Sequence, residues 1–181
     1  MKKVLWGLLI VAIAGSFVAF TLPHANTTSS ADKETAVTSA EEIKWYTWDE
    51  AIELNKKEPK KLFIDLYTDW CGWCKRMDAT TFKDPKVVAH MNANYYAIKF
   101  DAEQKEEVLY NNHTFKFIDQ GRRGVHELAY SLLDGKLSYP SYVYMTEKVE
   151  RIYVSKGYKQ ADQFIKELDY FTQEKYLEQN Q

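Results

Sequence analysis

Lys61-Leu-Phe-Ile-Asp65-Leu-Tyr-Thr-Asp-Trp70-Cys71-Gly-Trp-Cys74-Lys75 is the stretch on which the reading of this chain turns. From Leu62 to Tyr67 it is apolar and aromatic except at Asp65, and two lysines precede it. Such a run is long enough for a core strand and too short for a helix. The strand ends near Thr68 to Trp70. From Cys71 the pattern turns helical, with Lys75, Arg76 and Asp78 suited to the surface and Cys74 and Met77 able to face inward. Cys71 is therefore expected at a helix N-terminus. There the free backbone N–H groups and the positive end of the helix dipole favour a thiolate, lowering the thiol pKa from its ordinary value of roughly 8.5. Cys74, one turn later, is close enough to attack a mixed disulfide on Cys71 and is expected to be the more buried. Cys71 is read as the nucleophile and Cys74 as the resolving thiol.

These are the chain's two cysteines, so neither can bridge to a third. A zinc site would need two more ligands, and His24, His90, His113 and His126 are scattered, with no His-x-x-x-His pair among them. Metal binding in that form is not expected. Two thiolates alone do suit Cu(I), which keeps a second reading open: a binding module that uses the cysteines as ligands or as latches for clients, without turnover.

Ile64-Asp65-Leu66-Tyr67 followed by Trp70-Cys71-Gly72-Trp73-Cys74-Lys75 resembles thioredoxin in both spacing and letters. The resemblance implies that Asp65, six residues before Cys71, is a buried proton acceptor for Cys74. Its desolvated carboxyl would titrate nearer neutrality than an exposed one; the alternative is a structural aspartate at a strand end. Thioredoxins often carry a lysine on the following strand, here Tyr95 to Asp101, that pairs with this aspartate. Counting back from Asp101 puts Ala97 at that position, with Lys99 two residues on, so the expected partner is missing. Ser138-Tyr139-Pro140-Ser141 resembles the cis-proline loop, whose backbone pairs with substrate peptide and keeps metal from the thiols. By this resemblance Trp70, Gly72, Trp73, Tyr139 and Pro140 bind substrate, with Trp70, Trp73 and Tyr139 as an aromatic rim around Cys71. The alternative for the tryptophans is a shield over the disulfide. The Trp-Cys-Gly-Trp-Cys-Lys-x-Met run and the Thr-Phe after it look most like exported thioredoxin-like domains and the periplasmic carboxy-terminal domain of the DsbD reductase.

The chain opens with Met1-Lys2-Lys3 and then Val4 to Leu22 without a charged side chain. Residues 1–25 thus read as an export segment: a signal peptide with its best cleavage candidate after Ala25, or an uncleaved membrane anchor through residues 4–22. Residues 26–42 lack the apolar content to build a core and read as a tether. Residues 43–181 read as one domain. In it Thr47-Trp-Asp-Glu50 is a capping box for a helix to about Lys57, and Asp84-Pro85 starts another helix after a break near Thr80 to Lys83. Gly157 precedes a last helix from Ala161 to about Tyr176, striped by Phe164, Ile165, Leu168 and Phe171.

A minimal thioredoxin does not account for residues 103–137. Val108-Leu-Tyr110 and Thr114-Phe-Lys-Phe117 flank Asn111-Asn112-His113 as a tight hairpin. A basic loop, Gly121-Arg-Arg-Gly124, leads into a helix expected from about Val125 to Leu133 and stopped by Gly135. Arg122 and Arg123 are read as solvated or paired with the chain's own carboxylates, an anionic partner being the minority reading. The insertion is weighed equally as a source of partner specificity and as a cap on a sheet edge.

The expectation is an α/β protein with the thioredoxin fold: a central mixed β-sheet flanked by helices, and a hairpin-plus-helix insertion before the cis-Pro strand. Its activity is expected to be thiol–disulfide exchange on disulfide-containing proteins in the bacterial periplasm or cell envelope, reductase or isomerase work being favoured over oxidation. No bound cofactor is required, and an upstream membrane thiol-redox partner resets the cysteines. A formal net charge of -2 and the lack of a basic patch argue against nucleic acid.

Overall fold

The structure is a computed structural model that describes residues 41–121 and 123–178. The expected export segment, most of the tether and Arg122 lie outside the described residues. Among those described, no helix is long and apolar enough to cross a membrane.

The chain enters through β1 (Trp45–Tyr46) and α1 (Trp48–Lys57). The Thr47 hydroxyl accepts the Glu50 N–H at 3.3 Å and the Glu50 carboxylate accepts the Thr47 N–H at 2.8 Å, closing the capping box. β2 (Lys61–Tyr67) follows, then α2 (Gly72–Ala79), a 3-10 turn over Thr81–Lys83 and α3 (Pro85–Asn94). Asp84 caps α3 by accepting the Lys86 and Val87 N–H groups, with Pro85 in the first turn where its missing donor costs nothing.

β3 (Tyr95–Asp101) runs parallel to β2 and to β1, whereas β8 (Ser141–Met145) pairs antiparallel with β2 on its other side, and β9 (Arg151–Lys156) closes the sheet. The order is β1-β3-β2-β8-β9. Strand alternation sends Leu62, Ile64 and Leu66 to one face, against α1 and the insertion. It sends Phe63 to the other, against Met77, Phe82, α3 and the last long helix, α5 (Ala161–Thr172). Asp65 shares the Phe63 face by the same alternation.

α5 spans its apolar stripe, whose last member is Phe171, but ends at Thr172 and not near the expected Tyr176. Glu174 adopts a φ of +55°, which turns the chain before α6 (Lys175–Glu178), and its carboxylate accepts from the Nζ of the buried Lys61 at 2.7 Å, as the Glu147 carboxylate does.

In the insertion, β4 (Val108–Tyr110) and β5 (His113–Phe115) form the hairpin. Its turn is Asn111-Asn112 alone, at φ of +49° and +61°, the left-handed pair that suits a two-residue connection. The helix expected from Val125 starts later. Val125 and His126 form β7 (Val125–His126), paired with β6 (Phe117–Ile118), and α4 is confined to Glu127–Leu132. His126 explains the shift: fully buried, its Nδ1 accepts the Leu128 N–H at 3.2 Å as a cap, while Nε2 donates to the Glu106 carbonyl at 3.0 Å. Gly124 fits tightly here, since a Cβ would fall 2.0 Å from the Phe117 ring. Val108, Val125, Leu128, Ala129, Leu132 and Leu133 are buried in the same cluster as Leu62, Ile64 and Leu66. The insertion therefore covers a sheet face rather than an edge.

Candidate redox site

The site is built where β2 runs out. The Thr68 carbonyl accepts the Cys71 N–H at 3.0 Å, which turns the chain, and the Cys71 carbonyl then accepts the Lys75 N–H at 3.2 Å to open α2. Cys71 is the N-cap residue, and its Sγ receives the Cys74 N–H at 3.1 Å. Cys71 and Cys74 are joined as a disulfide with their Cα atoms 5.3 Å apart. Both are buried, at 5% and 2% exposure, with Cys74 the deeper.

Asp65 lies on the strand leading to this turn, 1% exposed. Burial pushes its carboxyl up to about 6, opposed by the Lys99 ammonium and helped by the nearby charge of Asp78. Lys99 Nζ is 2.6 Å from Asp65 Oδ2 and also contacts the half-exposed Asp78. Burial would lower the Lys99 pKa, but the two carboxylates outweigh it and the net shift is upward. The ammonium also sits 5.0 Å from the ring centroids of Trp45 and of Tyr67.

This corrects the expectation that the aspartate lacks its lysine. β2 and β3 pair without slip from Lys61↔Tyr95 to Tyr67↔Asp101, which sets Asp65 opposite Lys99 and Phe63 opposite Ala97. Counting from a strand end cannot supply that register, because register is a property of the pairing.

On its other side Asp65 faces Tyr142 of β8. Tyr142 is fully buried, stacked on Phe63 at 5.6 Å, and neither its hydroxyl nor Asp65 Oδ1 has a hydrogen-bond partner among the described residues. Burial, then the charge of Asp65, raises the phenol far above its ordinary range.

Above the disulfide the aromatic residues divide into two groups instead of forming one rim. Trp70, 50% exposed, meets Tyr139 edge-on at 5.9 Å. Its Nε1 donates to Glu103 at 2.9 Å, and the Arg123 guanidinium lies 4.2 Å over its ring. Trp73, 57% exposed, instead packs on Tyr158 at 5.4 Å with Arg76 at 5.7 Å. Among the described residues Arg123 is thus neither merely solvated nor paired with a carboxylate, as the sequence suggested; it makes a cation–π contact with an indole.

The Tyr139-Pro140 peptide is cis and Pro140 is buried, its carbonyl accepting the Gly157 N–H at 2.9 Å. Burial, then Glu103 and Asp101, raises the Tyr139 phenol to about 12. Gly72 lies between the cysteines with open space where a Cβ would go. Among the described residues no three His, Cys, Asp or Glu side chains are grouped to hold a metal ion. Sequence reasoning missed Asp78, Glu103, Arg123, Tyr142 and Tyr158 as neighbours of the site. Of these, Arg123 alone carried a signal, as half of a basic pair in the insertion.

Comparison with known proteins places these features in context. The model of the Thioredox_DsbH family, described as a protein of unknown function (DUF255), matches residues 33–173. Spermatogenesis-associated protein 20 of Rattus norvegicus is 30% identical over 67 residues, which cover 36% of this chain and 8% of the rat protein. The thiol:disulfide interchange protein DsbD of Haemophilus ducreyi is 35% identical over 78 residues, covering 39% of this chain and 14% of DsbD. The chain therefore matches only a small part of these curated relatives. Among solved structures, a thioredoxin from Thermus thermophilus superposes with a TM-score of 0.54 at 17% identity, covering 72% of this chain and 87% of the thioredoxin. At that identity the likeness is one of fold.

Proposed function

The chain belongs to the Thioredox_DsbH family and has the thioredoxin fold, and from that premise we propose that it is an exported protein-disulfide oxidoreductase working as a reductase or isomerase. One observation carries this reading: a Cys71–Cys74 pair at a helix N-terminus, on the strand–turn–helix unit that also holds a sealed carboxyl titrating near 6. The local identity to DsbD, whose name is that of a thiol:disulfide interchange protein, supports the same chemistry, and the uncharged run from Val4 to Leu22 behind two lysines supports a site of action in the bacterial envelope.

In the reduced protein the Cys71 thiolate attacks one sulfur of a substrate disulfide. A mixed disulfide forms and the first substrate sulfur leaves as a thiolate, which takes a proton from solvent. Asp65 accepts the Cys74 proton as Cys74 attacks the Cys71 sulfur. The protein disulfide closes, and the second substrate sulfur leaves with its electron pair and receives the proton from Asp65. Two electrons pass to the substrate, and a membrane thiol-redox partner returns them. Trp70, Trp73 and Tyr139 hold the substrate chain beside Pro140. Residues 1–25 direct export, as a signal peptide or as an anchor.

In a Cys74→Ala variant the second attack is impossible, so the chain is expected to accumulate mixed disulfides through Cys71, visible as dithiothreitol-sensitive adducts on a non-reducing gel. Failure to trap any substrate would sink the exchange mechanism. Direction is read from the equilibrium reduction potential of the pair: a value near about -270 mV supports a reductase, and one near about -120 mV makes the protein a disulfide donor.

A further inference from the structure

The insertion sends one cation to the mouth of the proposed site. Arg123 sits over Trp70, the residue immediately before Cys71, with its guanidinium carbon 4.2 Å from the ring centroid. None of its guanidinium N–H groups is hydrogen-bonded among the described residues, and a planar fork of N–H donors held beside an indole suits bidentate recognition of a carboxylate. The arginine is exposed, and no carboxylate lies within ion-pair distance of it among the described residues. Glu103, at the edge of the same indole, is occupied there by the Nε1 proton, which it accepts at 2.9 Å. Tyr139, which precedes Pro140, packs edge-on against Trp70 at 5.9 Å. The cation therefore stands on an aromatic pair that joins the turn before the active-site helix to the proline loop. Loop length alone does not require this: the insertion's apolar residues already cover the sheet face without it.

We propose that Arg123 is a specificity-determining residue that binds an acidic side chain flanking the substrate's cysteine. This rests on the oxidoreductase reading above, and the experiment is chosen to separate the two. Two peptides differ only in having Glu or Gln beside a single cysteine, each carried as its mixed disulfide with thionitrobenzoate. The pre-reduced full-length chain attacks the peptide sulfur through Cys71, the bond to thionitrobenzoate breaks, and the coloured thiolate leaves with the electron pair. The ratio of the two rates is the readout.

The wild-type chain is expected to favour the Glu peptide about tenfold, the scale of one charge-assisted hydrogen bond at a partly shielded site. Arg123→Ala should bring the ratio to about one, Arg123→Lys should hold it between these limits, and high salt should shrink it in the wild type. A wild-type ratio near one overturns the inference. So does a ratio that survives in Arg123→Ala while both rates fall, because the arginine would then only steady Trp70. Small, neutral hydroxyethyl disulfide reports basal exchange: if it and both peptides fail to react, the oxidoreductase reading itself falls and takes this inference with it.

Discussion

Beneath the Cys71–Cys74 disulfide the protein buries charge, and above it the protein exposes indoles. Both arrangements invert ordinary partitioning, in which carboxylates face water and tryptophans are mostly covered. The lower side is fixed by the sheet itself: strand alternation turns Asp65 inward and the β2–β3 register sets Lys99 opposite it. The upper side is assembled from remote segments, with Arg123 and Glu103 from the insertion on Trp70 and Tyr158 on Trp73. Perturbing the lower side should therefore appear in stability and its pH dependence. Perturbing the upper side should appear in which substrates react.

The largest stability effect is expected at Asp65. Its pKa is raised from 3.8 to about 6, so the folded state holds this proton more tightly than the unfolded one. Stability from this group is therefore fully present below about 3.8 and is lost as pH rises through about 6. Removing the carboxylate with Asp65→Asn should raise stability at pH 7 by about 2–3 kcal/mol and flatten the acid side of the pH–stability curve, measured by urea unfolding. A destabilised Asn variant would mean that the Lys99 pair outweighs desolvation, and the contrast between the two sides would collapse. Tyr142→Phe comes next. Its hydroxyl is buried without a described partner, so its removal with the ring kept in place should stabilise by about 1 kcal/mol in the same assay. A loss of comparable size would show the hydroxyl to be satisfied through Asp65. The smallest effect belongs to the upper side: Trp73→Ala should change stability by no more than about 0.5 kcal/mol while slowing reaction with peptide disulfides.

Much of this was legible from neighbouring residues. Thr47 with Glu50 and Asp84 with Pro85 announce helix starts because capping is settled within four residues. Cys71 is legible as a helix N-cap because the strand before it and the helix after it differ in period. Lys99 was misplaced by two positions, since the pairing that selects it is made with a strand more than thirty residues earlier. The start of α4 was misread for a similar reason. His126 looks like a first-turn residue until its ring is seen bridging Glu106 and Leu128. Arg123 could be read as a cation but not as one held over an indole, because its partner is Trp70 and nothing in the basic loop points there.

Gly72 has a consequence of another kind. A Cβ built there meets no atom within 4 Å, and the residue is not in the left-handed conformation that would demand glycine. A Cβ can therefore be added beside Cys71 without displacing a neighbour. The position works as an adjustable setting on a fixed instrument: one codon alters what surrounds the sulfur, while the sheet, the buried ion pair and the proline loop stay as they are. A lineage could shift the chemistry of the pair by small steps without first rebuilding its scaffold.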